Sequence, residues 1–597
     1  MINNNNVIFV FLLYKNYHMK TFIKQTFSRF LSLVIFFIFS IVIVMCIAFF
    51  FSDKEDFVIS EDSILKIEFN KPILDRTSEN PLSNLNLLDL SNESSVELRD
   101  LLENIDKARS NENIKGIYML FSSFSAGLSQ VEEIREKLLE FKESGKSIYA
   151  YSESFSQTAY YLASVADKIY LNPEGTLEIR GFSAQVIFYK SFLQKIGLDM
   201  QVIRHGKYKS AVEPYMYDKM SVENRIQLES LLNSIAQKMV LSISESRKVE
   251  ENIVHNLMNE EVFLNASKSV KNHLIDEALY EDQVLENIQK TVNNYNMINY
   301  EDFEKVTFRN KLSQNKIAII YATGPINLGK GDFESIGSET TVKAIKEAVE
   351  DENVKSIVLR INSPGGSALA SDIIWRSIDL AKETKKVVVS MGDYAASGGY
   401  YIACNAHKVF ANASTITGSI GVFGVIPSGQ DFLNNKLGIY VDTVNTHKSS
   451  DALSGFRKLT DYERDILRNS IQDVYETFIS RVANGRDMLD SEADKIAQGR
   501  VWSGIDALNV GLVDEIGGLD KAVKSAALLS GISSDYRVIT LPKKEDFIEE
   551  ILNDFSNQSN VDLLKILGVD EDFIDQFNFL SSDDKIQARL PFFMHLE

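Results

Sequence analysis

Two stretches of this chain read as copies of one unit, which limits the fold more than any other feature. NIKGIYMLFSSFSAGLSQVEEIREKL begins at Asn113 and NVKSIVLRINSPGGSALASDIIWRSI at Asn353, 240 positions apart. At the same spacing YSESFSQTAYYLA, from Tyr151, falls on MGDYAASGGYYIA, from Met391, and sets Gln157 opposite Ser397. GLDMQVIRHGKYKS from Gly197 and GIYVDTVNTHKSSD from Gly438 then bring Lys209 opposite Ser450. A chain of 597 residues exceeds one hydrophobic core, and the duplication divides it into two large like domains. The copies have decayed in complementary places. The second keeps a serine in a glycine turn and a Pro-Gly-Gly loop, and the first keeps only the lysine. Complementary loss points to one site shared by both copies.

Each copy opens on a strand, SILKIEF at 63–69 and KIAIIYA at 316–322, and continues as strand, helix, strand with short glycine-containing joins. That order predicts β-α-β units around a largely parallel sheet. Amphipathic helices follow at 222–243 and 462–482, their apolar stripes read as core or subunit contact. The polar, aromatic-spotted stretch 293–310 is the expected linker. The domains are therefore expected at 52–305, carrying the lysine, and 306–540, carrying the serine, with an acidic tail of no assigned role at 541–597.

A net charge of −20 without a basic stripe excludes nucleic acid as a partner class. Two cysteines, Cys46 in an apolar run and Cys404 in a helical stretch, supply neither a disulfide framework nor a thiolate metal site, and no HExxH is present. No metal and no cofactor is expected. Residues 30–51 (FLSLVIFFIFSIVIVMCIAFFF) carry no charge and are long enough to cross a hydrocarbon core of about 30 Å. Lys20, Lys24 and Arg29 before the run, with Asp53, Glu55 and Asp56 after it, predict a cytoplasmic segment at 1–29, a transmembrane anchor at 30–51 and extracytoplasmic domains. The run's length and its Phe49-Phe50-Phe51 end disfavour a cleaved signal peptide, and bulky Met45 before Cys46 disfavours a lipoprotein.

The chemistry concentrates in two turns of the second copy. In NSPGGS (362–367), Gly365 and Gly366 let backbone amides face a cleft unobstructed by a Cβ, as an oxyanion needs. In AASGGYY, Ser397 falls at a helix N-terminus with Gly398 behind it, where free N–H groups favour developing negative charge. Either turn alone is better read as a tight turn of an α/β sheet, but both at successive strand ends favour a nucleophile beside an oxyanion hole. A serine also needs a base. The seven histidines show no triad spacing, and His205, four residues before Lys209, is the better rival among them. Lys209 is the stronger candidate, provided burial lowers its pKa from about 10.4 toward neutrality.

INSPGGS, ASGGYY, TGSIGVFG (417–424) and KSAVEP (209–214) together resemble the signal peptide peptidase A, or protease IV, family in its long two-domain form, from the anchor to about Val523. The resemblance implies tandem Clp-protease/crotonase-like domains after one transmembrane helix, and a Ser-Lys dyad with Ser397 as nucleophile and Lys209 as general base. It implies that Ser419 orients the lysine, and that Gly398 with Gly366, or else Gly365, holds the oxyanion. It further implies a homotetramer in a bacterial inner membrane, its catalytic domains on the periplasmic side, degrading signal peptides and other apolar peptides. A crotonase-like acyl-CoA enzyme and a non-catalytic membrane scaffold are the rival readings. The tail beyond about Val523 matches no motif of the family.

Overall fold

The computed structural model describes residues 59–77, 95–292, 295–306, 313–332, 334–543 and 586–589, with isolated positions between 29 and 43. Residues 1–58 and 59–597 are separate units. The expected anchor at 30–51 lies outside the described residues except for isolated helical positions such as Leu33 and Phe36. No helix among the described residues is long and apolar enough to cross a membrane.

The second unit contains two sheets that share a parallel core of the same strand order, the second sheet adding Ile416–Gly418 and, antiparallel to it, Val501–Ser503. In the first copy the order is Glu277–Ala278, Lys168–Leu171, Ser147–Ser152, Ile114–Phe121, Ser63–Phe69, Asn296–Asn299. In the second, Lys386–Ala396, Val354–Ser363, Lys316–Thr323 and Arg537–Leu541 follow the same path, with Lys408–Ala411 and Glu515–Ile516 beyond Lys386–Ala396. The central strands are apolar on both faces because helices cover both. Ile117, Met119, Val358 and Leu359 are each at most 1% exposed.

The stretch 293–310 is not simply a linker. Asn296–Asn299 pairs parallel with Ser63–Phe69, and Tyr300–Glu304 is a helix that buries Phe303. With one buried residue, Ile298, in a four-residue strand, this element carries too short an apolar signal to stand out from its polar frame. Arg537–Leu541 is its counterpart, so the duplication continues past Val523.

A third sheet joins the copies, in the order Ile336–Gly337, Ile326–Asn327, Gly365–Ser367, Ile586–Arg589, Val422–Ser428, Asp199–His205. Asp199–His205, from the first copy, runs antiparallel to Val422–Ser428 from the second over seven residue pairs. The two long helices are Val222–Arg247 and Asp461–Gly485. Ser221 Oγ caps the first by accepting from Asn224 N, and a reciprocal Thr460/Glu463 box caps the second. Leu228, Leu231, Ile235, Met239 and Ile243 form the buried stripe of the first.

Buried charge also ties the copies together. Arg360, fully buried in the second sheet, donates to Asp75 at 2.6 and 2.9 Å and stands 2.7 Å from Glu133, both carboxylates coming from the first copy. Burial opposes its charge, but the two carboxylates outweigh that and raise its pKa. Asn362 Nδ2 donates to Asp75, while Asn412 Nδ2 and Leu519 N donate to Glu133. Removing any member of this cluster would leave buried charge from the other copy uncompensated.

Candidate active site

Three elements deliver the polar groups of the site. Lys386–Ala396 is the long strand of the second sheet, and it ends on Ser397, which caps the short helix Gly398–Ala403. Ser397 sits at φ 56°, ψ −112°, a conformation rarely open to a residue with a Cβ. Two backbone bonds hold it there, Ser397 N to Gly418 O at 2.7 Å and Tyr401 N to Ser397 O at 2.8 Å. The turn lifts the hydroxyl off the end of the sheet, as a nucleophile elbow does.

Lys209 comes from the other copy. The strand Asp199–His205 carries the chain across the second domain, and Lys209 follows it into a short 3-10 turn at Ser210–Val212. Its backbone is clamped. Arg204 Nη1 donates to Lys209 O at 2.9 Å and to Glu213 Oε1 at 3.3 Å, and the buried Glu213 also accepts from Ser221 Oγ at 2.6 Å. Gly499, at φ +80°, passes so close that a Cβ there would stand 2.5 Å from Lys209 N, so only glycine fits.

The side chain of Lys209 is fully buried, and its Nζ stands 2.8 Å from Ser397 Oγ, 2.9 Å from Ser419 O and 3.0 Å from Ser419 Oγ. All three partners are uncharged. Burial alone holds the amine well below the usual lysine range, and no carboxylate among the described residues pairs with it. Ser419, also buried and at φ 50°, lies between the strands Ile416–Gly418 and Val422–Ser428, with its N donating to Arg500 O at 2.7 Å.

The glycine turn lies alongside. Gly365 is at φ +97°, and Gly366 lies so close to Ile326 that a Cβ there would stand 2.6 Å from Ile326 N. A methyl on Gly398 would stand 3.2 Å from Gly366 N, and one on Gly365 would stand 2.8 Å from Gly398 N, so the two turns lie against each other. The structure therefore brings together Ser397, Lys209, Ser419, Gly365, Gly366 and Gly398. His205 is not among them. Its ring packs on Tyr475 at 3.9 Å between centroids, and His407 Nδ1 accepts from Val387 N at 3.1 Å. Cys404 is buried, its thiol donating to Tyr401 O and pushed up to about 12 by burial. No His, Cys, Asp and Glu cluster among the described residues could hold a metal.

Sequence reasoning missed Arg204 and Gly499, which hold Lys209 from the backbone side. It passed over Glu213, although that residue stands in the quoted KSAVEP. The Arg204–Glu213 pair has no sequence signature beyond a nine-residue separation.

A buried serine hydroxyl against a desolvated lysine amine, beside a glycine turn, is the equipment of an acyl-transfer hydrolase. The model of peptidase family S49 matches the chain twice, at residues 140–294 and 379–533, one match in each copy. Protease 4 of Haemophilus influenzae is 32% identical over 586 residues, covering 93% of each chain. Protease 4 of Salmonella typhi is 37% identical over 450 residues, 72% of each chain, and the chloroplastic serine protease SPPA of Arabidopsis thaliana is 32% identical over 83% of this chain and 74% of its own. Among solved structures, a ClpP1 mutant from Listeria monocytogenes, at 18% identity, covers 34% of this chain and 94% of its own with a TM-score of 0.24. The chain belongs to peptidase family S49 and is a serine peptidase of two tandem domains. That membership sets aside the acyl-CoA and scaffold readings.

Proposed function

We propose that the chain is a membrane-tethered endopeptidase in which Ser397 is the nucleophile and Lys209 its general base, acting on apolar peptides and above all on signal peptides left after preprotein cleavage. The observation that carries this reading is an amine with three neutral oxygens and no anion around it. A neutral primary amine has two N–H groups and one lone pair. The Ser419 carbonyl can only accept, so it takes one N–H; the Ser419 hydroxyl takes the second, and the lone pair is left to accept from the Ser397 hydroxyl.

Lys209 then removes the Ser397 proton as Oγ attacks a peptide carbonyl. The amides of Gly366 and Gly398 hold the oxyanion, with Gly365 shaping the turn. The lysinium returns its proton to the leaving amine, and water admitted in its place hydrolyses the ester with Lys209 again as base. Substrate adds as an extended strand, which suits peptides without fixed structure of their own. The apolar run 30–51 serves as a single-pass anchor in a bacterial inner membrane, with the catalytic domains on the periplasmic side. That location gives the site access to peptides leaving the bilayer.

Assembly into a homotetramer is part of the proposal and draws support from the duplication. Within the chain, Asp199–His205 pairs with Val422–Ser428. Their counterparts in the other copies, residues 440–446 and 182–188, pair with no described strand, and they expose Tyr440 (77%), Val444 (99%) and Ile187 (65%). Segment 440–446 of one protomer, laid as a strand on 182–188 of the next, repeats the internal pairing head to tail, a heterologous contact that gives a ring when its rotation closes.

The test uses the full chain in detergent and a fluorogenic apolar peptide. Ser397→Ala and Lys209→Ala each should lose at least about 10³-fold in turnover, with the tetramer unchanged by light scattering. Wild-type turnover in Lys209→Ala refutes the dyad.

A further inference from the structure

The long helix Val222–Arg247 buries Gln227, a side chain that its apolar stripe does not explain. The residue is fully buried, and both ends of its amide are engaged. Nε2 donates to Ser210 Oγ at 2.8 Å and to Tyr208 O at 3.1 Å, with Asn224 Oδ1 also at 3.1 Å, and Oε1 accepts from Val501 N at 3.3 Å. Tyr208 and Ser210 are the two neighbours of Lys209 in the chain. Val501 belongs to the strand that runs antiparallel to Ile416–Gly418, where it stands opposite Gly418. One amide therefore touches both flanks of the lysine, from the first copy, and a strand of the second copy that leads past Ser419.

The residues before Val501 carry further bonds of the same frame. Gln498 O accepts from Tyr208 N at 2.9 Å, Gly499 N donates to Ile420 O at 2.7 Å, and Arg500 O accepts from Ser419 N at 2.7 Å. Gly418 O in turn accepts from Ser397 N. Residues 498–501 thus bond both to the lysine loop and to the segment 418–420, and Gln227 closes the frame from the helix side. An apolar residue would fill the same stripe, but would leave Tyr208 O and Val501 N without this bond. Being uncharged, the amide neither repels nor neutralises the amine, so what it supplies is placement. The lysine stem is long and flexible, and Nζ stays 2.8 Å from Ser397 Oγ only while the backbone that carries it is held.

We propose that Gln227 is a positioning residue of the Ser-Lys pair, holding Lys209 within hydrogen-bond reach of Ser397 by joining the lysine loop to the strand beside Ser419. The inference rests on Ser397 and Lys209 acting as described above. It gives the first copy a second part in catalysis, through a helix that otherwise belongs to its core.

The test uses the full chain in detergent and a fluorogenic apolar peptide, and compares Gln227→Met with Ser234→Ala. Ser234 Oγ lies 2.8 Å from Ser503 Oγ, so it joins the same helix to the same strand, two helical turns further along. Gln227→Met, shown to be folded by its melting temperature, should lose about 10- to 100-fold in kcat with KM within about twofold. Fluorophosphonate labelling of Ser397 should slow with it, whereas Ser234→Ala should keep the wild-type kcat. Ser210→Ala, which removes the acceptor of the shortest bond, should lower kcat about fivefold and carries the test if Gln227→Met does not fold. Wild-type kcat in folded Gln227→Met, or in Ser210→Ala where Gln227→Met is unfolded, overturns the inference. A loss carried by KM alone overturns it too, as do equal losses in Gln227→Met and Ser234→Ala, which would mark a joint that only docks helix on strand. The Ser-Lys reading survives all of these, and falls only if Lys209→Ala is active.

Discussion

Where the central strand of each copy gives way to a short helix, the two copies bury a polar side chain to opposite ends. In the first, Gln157 begins the helix Gln157–Ala163 behind an ordinary Ser156 cap. Its Oε1 accepts from Arg180 N at 3.0 Å and Gly181 N at 2.8 Å, and its Nε2 donates to Gly181 O. The amide is satisfied and strain-free, and it pins the loop that follows. In the second, Ser397 is held at positive φ, with its hydroxyl directed at the Lys209 amine. The later position reverses the pattern: Lys209 is fully buried, whereas its counterpart Ser450 is exposed in a turn and bonds to His447 O. A duplicated fold offers two equivalent positions for a costly arrangement, and here each copy has relaxed where the other is strained. Strained backbone and a desolvated amine lower stability, so one of each suffices when the copies share a site.

Exchanging the equivalent positions breaks or sharpens that comparison. The largest effect is expected on turnover: Gln157→Ala should leave kcat within about twofold, whereas Ser397→Ala should reduce it by about 10³-fold or more. Comparable losses from both would mean that the copies are not specialised. Next is the joint between the domains. Arg360→Met strands Asp75 and Glu133 without their cation, and should cost about 3–5 kcal/mol in denaturant unfolding; an unchanged midpoint would show that the ion cluster does not hold the copies together.

Smaller effects should come from the amine and its neighbour. Because burial depresses the Lys209 pKa in the folded chain, the unfolded chain binds the extra proton first, and stability falls as pH drops below about 10.4 until the folded group itself titrates. Lys209→Met should therefore raise the melting temperature near neutral pH, and the gain should shrink as pH rises toward about 10.4. A gain independent of pH would mean that the amine is not desolvated. Ser419→Ala removes one hydroxyl from the amine and should lower kcat about fivefold, one hydrogen bond being worth about 1 kcal/mol, with little change in KM.

Much of this was legible in the residues. The duplication, the parallel α/β order, Ser397, Lys209 and the glycines beside them stand out because a Pro-Gly-Gly turn, a Ser-Gly-Gly elbow and a lysine kept by one copy are unusual against apolar strands, whereas Ser419 came only with the family resemblance. What could not be read was pairing at long range. Asn296–Asn299 has a single buried residue and joins its sheet through backbone bonds to Ser63–Phe69, more than 200 positions away. Arg360 carries no local signal of its role, since Asp75 and Glu133 are 285 and 227 positions away in the sequence. The tail offered the least: QAR within Ile586–Arg589 has no apolar alternation, and its place depends on the backbone of Gly365–Ser367. Strand addition draws on main-chain groups that every sequence carries.

The most direct measurement of a site made from both copies is the rate at which a fluorophosphonate labels the full chain, with the modified serine mapped by tandem mass spectrometry. Wild type should carry one label, on Ser397, at a rate that falls as pH is lowered through the Lys209 titration, and folded Lys209→Met should react at least about 10³-fold more slowly. A label on any other serine, or labelling of Lys209→Met at the wild-type rate, contradicts an amine of the first copy serving an alcohol of the second.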